Sequence, residues 1–333
     1  MKIGRVLGGV VVVLVIIPVI AAVAIVRFRD PSSPPRLQAH HVDASTTACA
    51  KPAPIPHPLI GVALDTPVRS LTSFVQATGV KPQIVAQYLP FKENYNSTLA
   101  RKVAQARGRL LVQWDPKHVS LQRIVHGRWD AHITKFAHAV CAAGVPIVLS
   151  FGHEMNGNWY HWGNTKTSPR LFIAAWQHLH SLFVKAGAIN VTWCWNVNTW
   201  QPALTGKANY GITPARRWWP GTQYVDWIGL DAYFATPDNT FRGVFGYPLR
   251  ALHRIAHKPV LIAETAAAQG PSQPRQIRSL FSGLRRRTNV IGAVWFESHN
   301  SNVRENWLIE GQRAAIAAFR AGAKSLTRIN RSS

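Results

Sequence analysis

The sequence is poor in negative charge. Its 333 residues include 14 Asp and Glu against 38 Lys and Arg, a formal net charge of +24. Such a surface attracts polyanions, whether anionic lipid, acidic wall polymer or nucleic acid, and says little about a reaction. Cysteine is scarce too: three residues, none spaced C-x-x-C, which argues against a disulfide-dense scaffold, a zinc ribbon and a thioredoxin-type site. No G-x-x-x-x-G-K-S/T, no G-x-G-x-x-G after a strand and no G-x-S-x-G is found, so the common nucleotide and serine-hydrolase signatures are missing. What is abundant is apolar: 47% hydrophobic and 10% aromatic residues, enough for a large packed core.

One long uncharged run stands apart. Lys2 and Arg5 precede an apolar stretch from Val6 to Val26, and Arg27 and Arg29 follow it. About 20 apolar residues cross a bilayer as a helix, and the lack of a polar face argues against a buried core helix. Residues 1–29 are therefore expected to be a transmembrane anchor, with a signal peptide cut near Ala21-Ala22-Val23-Ala24 as the alternative. Either way the body is expected outside the cytoplasm, at the cell membrane or secreted. Residues 30–58 hold seven of the 22 prolines and no apolar period, which reads as an extended linker.

From residue 59 to about 325, runs rich in β-branched and aromatic residues alternate with amphipathic stretches, the pattern of βα units around a parallel sheet. Eight strands are expected: Ile60–Asp65, Gln83–Tyr88, Arg109–Asp115, Pro146–Glu154, Val191–Asn198, Trp227–Tyr233, Pro259–Thr265 and Val290–Glu297. Ser168-Pro169 opens a helix that Gly187 stops, and Asp130 opens one that Gly144 stops. Only the stretch from Thr199 to Asp226 lacks a clear helix. The fold class is α/β, a (β/α)₈ TIM barrel, closed by a basic tail at 326–333. The alternative, a doubly wound open sheet, lacks its glycine-rich turn. Cys49 and Cys141 both fall at the bottom of such a barrel and are expected to be bonded, with Cys194 a buried free thiol.

With so few acids, their positions carry information. Asp65, Asp115, Glu154, Asp231, Glu264 and Glu297 sit at the C-terminal ends of six expected strands, which converge on one face of a barrel where active sites are built. Helix capping accounts for one or two of them, such as Asp65 before Pro67. The densest text runs from Phe151-Gly152-His153-Glu154-Met155-Asn156-Gly157 to Trp159-Tyr160-His161-Trp162. A zinc H-E-x-x-H reading fails because Gly157 occupies the second histidine's place. The second text, Pro259-Val260-Leu261-Ile262-Ala263-Glu264-Thr265, is a buried strand ending in a lone carboxylate. Two carboxylates facing each other suit glycosidic cleavage, one protonating the leaving oxygen and the other attacking the anomeric carbon.

The 151–163 loop, together with Gly229-Leu230-Asp231-Ala232-Tyr233, Ala263-Glu264-Thr265 and Trp195-Asn196-Val197-Asn198, resembles glycoside hydrolase family 26, the β-mannanase family of the retaining clan-A barrels. The resemblance runs from about Ile60 to Trp307. It implies that Glu154 is the general acid/base and Glu264 the nucleophile. His153 would orient the acidic groups and contact the sugar, Tyr233 would donate to the nucleophile, and Asp231 would sit beside the reacting sugar. Asn156 and Asn198 would join the substrate site. Ser150-Phe151-Gly152 stands where many mannanases of the family carry Arg-Pro-Phe, which leaves the sugar open among β-1,4-mannan, mixed-linkage β-glucan and β-1,3-xylan.

Trp114, Trp159, Trp162, Trp195 and Trp295 lie at or just beyond strand ends, where flat rings stack on pyranose faces. Trp159 and Trp295 are the preferred platforms, with Trp200, Trp218 and Trp219 along a distal part of the cleft. The leading expectation is an exported, membrane-tethered endo-β-glycosidase, with β-1,4-mannan the first guess for its substrate, that needs no metal or organic cofactor. A barrel that binds polysaccharide without turnover, and a binder of anionic envelope polymer, are the competing readings. No nucleic-acid motif is present.

Overall fold

The computed structural model describes residues 49–53, 58–64, 67–199, 212–299 and 306–329. The Val6–Val26 run, Asp65 and Trp200 lie outside these residues. Among the described residues no helix is long and apolar enough to cross a membrane.

Eight buried runs form parallel strands: β1 (Leu59–Leu64), β2 (Ile84–Pro90), β3 (Arg109–Asp115), β4 (Ile147–Phe151), β5 (Val191–Asn198), β6 (Trp227–Asp231), β7 (Val260–Thr265) and β8 (Val290–Glu297). Each pairs with its sequence neighbour and β8 pairs with β1, so the sheet closes into a barrel. Eight helices accompany them: α1 (Pro67–Thr78), α2 (Ser97–Gln105), α3 (Leu121–Val125), α4 (Asp130–Ala143), α5 (Pro169–Lys185), α6 (Phe241–His253), α7 (Gln273–Arg285) and α8 (Arg313–Ile329). The expected (β/α)₈ barrel is the observed fold. Only two 3₁₀ turns, Thr213–Trp218 and Thr222–Tyr224, are described between β5 and β6. The last helix extends to Ile329, past the expected start of the basic tail.

Local chemistry sets the helix ends. Ser168 Oγ accepts the N–H of Leu171 ahead of Pro169, while Asn96 and Thr240 cap α2 and α6 in the same way. Gly144 and Gly187, at φ +67° and +70°, take the left-handed conformation that ends α4 and α5. Strand alternation divides the core in two. Leu59, Ala63, Ile84, Leu111, Val148 and Leu261 fill the barrel lumen, whereas Ile60, Val62, Leu110, Leu149 and Ile262 face the helices. Cys49 and Cys141 form a disulfide with a Cα separation of 5.3 Å, which pins the chain before β1 to the last turn of α4. Cys194 is a buried free thiol in the lumen.

Candidate active site

The C-terminal ends of β4, β6 and β7 bring Glu154, Asp231 and Glu264 together. Beyond β4 the chain turns sharply: Gly152 has φ +56°, and Glu154, although not glycine, has φ +53°. A left-handed Glu costs of order 1–2 kcal/mol. The turn holds because Glu154 N–H donates to Asn196 O (2.9 Å) and Glu154 O accepts from Gly157 N–H (2.8 Å). A Cβ on Gly152 would come within 3.1 Å of Trp162, so the glycine also leaves room for the returning loop.

Both oxygens of Glu154 receive donors. Trp159 Nε1 donates to Oε2 (2.7 Å), and Asn198 Nδ2 donates to Oε1. Glu264 is held by two phenols from opposite sides of the barrel mouth: Tyr88 on β2 donates to Oε2, and Tyr233 just past β6 donates to Oε1. Burial first, and then the charge of Glu154, lift the Glu264 pKa to about 7 despite these hydrogen bonds. Asp231 is fully buried, and Asn196 Nδ2 donates to its Oδ2 (2.9 Å). Burial and the nearby charges of Glu264 and Glu154 hold its carboxyl well above the usual range. Gly229 makes the space: a Cβ there would fall 2.6 Å from Asn196 Oδ1.

His153 lies between these acids and a fourth. Its Nδ1 is 2.6 Å from Asp115 Oδ1 and its Nε2 is 3.1 Å from the Tyr160 hydroxyl. Burial opposes a charge on the ring, but Asp115, by charge and hydrogen bond, with Glu154 and Glu264 behind it, pushes the pKa up to about 9. Burial raises the Asp115 carboxyl, and the charge and hydrogen bond of His153 oppose that rise. A cation therefore sits among the carboxylates, and its Nε2–H donates to the Tyr160 oxygen.

Several expected roles change. Trp295 is not a platform: it belongs to the alternate set of β8 that faces the helices, is 1% exposed and packs on Phe319. It acts from behind, since its Nε1 donates to Trp307 O (3.3 Å) and the Trp307 ring packs on Tyr233 (4.8 Å). Trp114 and Trp195 face the helices for the same reason, and Trp218 is buried against Phe172. Trp162 is buried, donates to His153 O (2.8 Å) and stacks on Tyr160, which braces the loop. Asn156 is fully buried and spends its amide on the backbone of Asn198, donating to O (2.7 Å) and accepting from N–H (3.0 Å). Asp231 faces carboxylates from beneath and has no surface for a sugar. Trp159 is 41% exposed and lies beside Glu154, to which its Nε1 donates.

Of the remaining rim acids, Asp115 partners His153. Glu297 accepts the N–H groups of Ile309 and Glu310, clamping the segment before α8. Tyr88, Tyr160 and Asn196 were not expected as site residues. Tyr88 did close an expected strand, which was its only signal. No cluster of metal-ligating side chains occurs among the described residues.

The glycosyl hydrolase family 26 model matches residues 119–312, more than half of the sequence. The chain belongs to that family. Endoglucanase H of Acetivibrio thermocellus is 31% identical to this family 26 chain over 266 residues, covering 75% of it and 28% of the relative. A beta-1,3-xylanase of Alcaligenes sp is 25% identical over 178 residues, covering 53% and 35%. The chain thus spans about a third or less of the length of these relatives. Among solved structures, the modular endo-beta-1,4-mannanase of Cellulomonas fimi superposes with a TM-score of 0.62 at 19% identity, over 80% of this chain and 70% of that one, a likeness of fold.

Proposed function

We propose that this chain is a retaining endo-β-glycosidase in which Glu264 attacks the anomeric carbon and Glu154 protonates the leaving oxygen. The observation that carries the proposal is the asymmetry of the two carboxyls. Glu264 is fixed by two phenolic donors, so its attacking oxygen is oriented before substrate arrives. Glu154 instead accepts the indole N–H of Trp159, which at 41% is the most exposed of the described tryptophans. In the first step Glu264 forms the glycosyl ester as Glu154 gives up its proton. In the second Glu154 takes a proton from water, which attacks the ester and frees the sugar. Burial and the neighbouring carboxylates, which hold the Asp231 carboxyl well above the usual range, disfavour a second negative charge beneath the pair. The His153 cation offsets the charge that remains.

A β-glucan is the first substrate reading, because the relative matched over three quarters of the chain is an endoglucanase. β-1,4-Mannan is the second, carried by mannan endo-1,4-beta-mannosidase A and B of Caldalkalibacillus mannanilyticus, 26% identical over 120 residues. The Cys49–Cys141 disulfide supports a site of action outside the reducing cytoplasm. The test incubates the protein with mixed-linkage glucan, mannan and xylan, following products by mass spectrometry and their anomeric protons by NMR. Oligosaccharides released first as the β-anomer are expected. Release of the α-anomer first, or no hydrolysis of any of the three, contradicts the proposal.

A further inference from the structure

The two ends of the barrel differ in charge. Nine of the ten acidic residues among those described follow a strand or open a helix on the cleft side. Among the described residues the opposite end has Asp226 alone, and its carboxylate accepts the N–H of Trp193 (2.8 Å). That same end carries the exposed side chains of Lys81, Arg107, Lys185, Arg254, Arg285 and Arg286, from the starts of β2 and β3 and the ends of α5, α6 and α7. None of the six forms an ion pair among the described residues. Helix dipoles do not explain this. Matching them would also place acids in first turns, yet α2, α3, α5, α6 and α7 have none there.

The basic end is also locally apolar. Val184 (57% exposed) and Ile189 (42%) flank Lys185 at the close of α5. Between them lies Gly187, whose carbonyl is 3.2 Å from Cys49 Sγ. The chain therefore joins the barrel at this end, 23 residues after the last residue of the uncharged run of bilayer-spanning length.

We propose that this end of the barrel docks on an anionic lipid bilayer, with the cleft turned away from the surface. Lys and Arg side chains meet lipid phosphates, while Val184 and Ile189 enter the headgroup boundary. A nucleic acid or acidic polymer satisfies the charge but not the exposed apolar pair, which selects lipid. The inference does not depend on the glycosidase reading.

The test is co-sedimentation of the full-length protein with vesicles of phosphatidylcholine, or of phosphatidylcholine mixed equally with phosphatidylglycerol. Any binding contributed by the apolar N-terminal run is common to both compositions, so the readout is the ratio between them. A preference for anionic vesicles of roughly tenfold or more is expected at low salt. It should collapse near 1 M salt, where screening shortens to about 3 Å. The variant R254E/R285E/R286E should lose the preference, V184S/I189S should weaken it, and Lys92→Glu on the cleft side should leave it intact. Circular dichroism melting checks that each variant folds, and R254Q/R285Q/R286Q replaces a triple reversal that does not. A preference that survives the triple change, or falls equally with Lys92→Glu, overturns the docking face. Vesicle binding indifferent to V184S/I189S shows a site for any polyanion and overturns the choice of lipid.

Discussion

Tyr88 on β2 and Tyr233 just past the end of β6 stand half the barrel apart, yet their hydroxyls converge on the two oxygens of one carboxylate, Glu264. Each phenol is itself held in its neutral form, its pKa raised well above the usual value by burial and by the Glu264 charge. Both are therefore dedicated donors. Removing one leaves Glu264 under-solvated: Tyr88→Phe or Tyr233→Phe should lower kcat/KM roughly 10- to 100-fold, the worth of one hydrogen bond to a charged group. The pKa that governs the acid limb should rise in both, because the lost bond favoured the ionised form. Steady-state kinetics across pH checks this, and an unmoved acid limb counts against the role of the phenol.

The acid limb of kcat/KM in the parent enzyme should lie near pH 7, where Glu264 ionises. After burial, the charge of Glu154 is the next cause of that high value. Glu154→Gln should therefore move the limb to lower pH, read with an activated aryl glycoside whose departure needs little protonation. A limb that moves upward contradicts the coupling.

Asp115 should set the charge on His153. Burial alone depresses the imidazole, so Asp115→Asn should bring its pKa down from about 9. Nitrogen-15 NMR of the ring should then show the neutral form dominant at about pH 8, where the parent ring is doubly protonated. A ring that stays cationic at that pH in the variant shows that Glu154 and Glu264 suffice.

Stability should carry the cost of the same site. The folded pKa of Glu264, about 7, exceeds its ordinary value of 4.5, so between these pH values the folded chain binds more protons than the unfolded one. The Glu264 contribution is complete below about 4.5 and lost as pH rises through about 7. Glu264→Gln should thus be inactive but more stable than the parent at about pH 8, on the order of 1–2 kcal/mol, with little gain at about pH 4. Thermal melts at both pH values decide it.

Much of this was legible in the sequence, for reasons that differ by residue. The barrel could be read because eight short apolar runs alternate with punctuated helices everywhere except between β5 and β6, and bounds moved by only a few residues. Glu154 and Glu264 stood out because acids are rare here and both close apolar strands. Tryptophan misled: Trp114, Trp195 and Trp295 lie in the C-terminal halves of their strands, but a one-residue change of parity separates the lumen from the helix layer, and composition does not fix parity. Asn156 looked like a sugar ligand because it lies in the richest loop, whereas its task is to lock Asn198 under Glu154. Tyr88 was missed because a tyrosine at a strand end serves a core as readily as a site.

As the nucleophile, Glu264 should become covalently bonded to the sugar during turnover. The most direct measurement incubates the protein with a 2-deoxy-2-fluoro glycoside carrying a good leaving group, chosen for the sugar the protein hydrolyses, and maps the adduct by peptide mass spectrometry. The fluorine slows release of the intermediate, so one sugar per chain is expected on the peptide containing Glu264, lost in Glu264→Gln. Turnover without an adduct, or an adduct on the peptide containing Glu154, would contradict it.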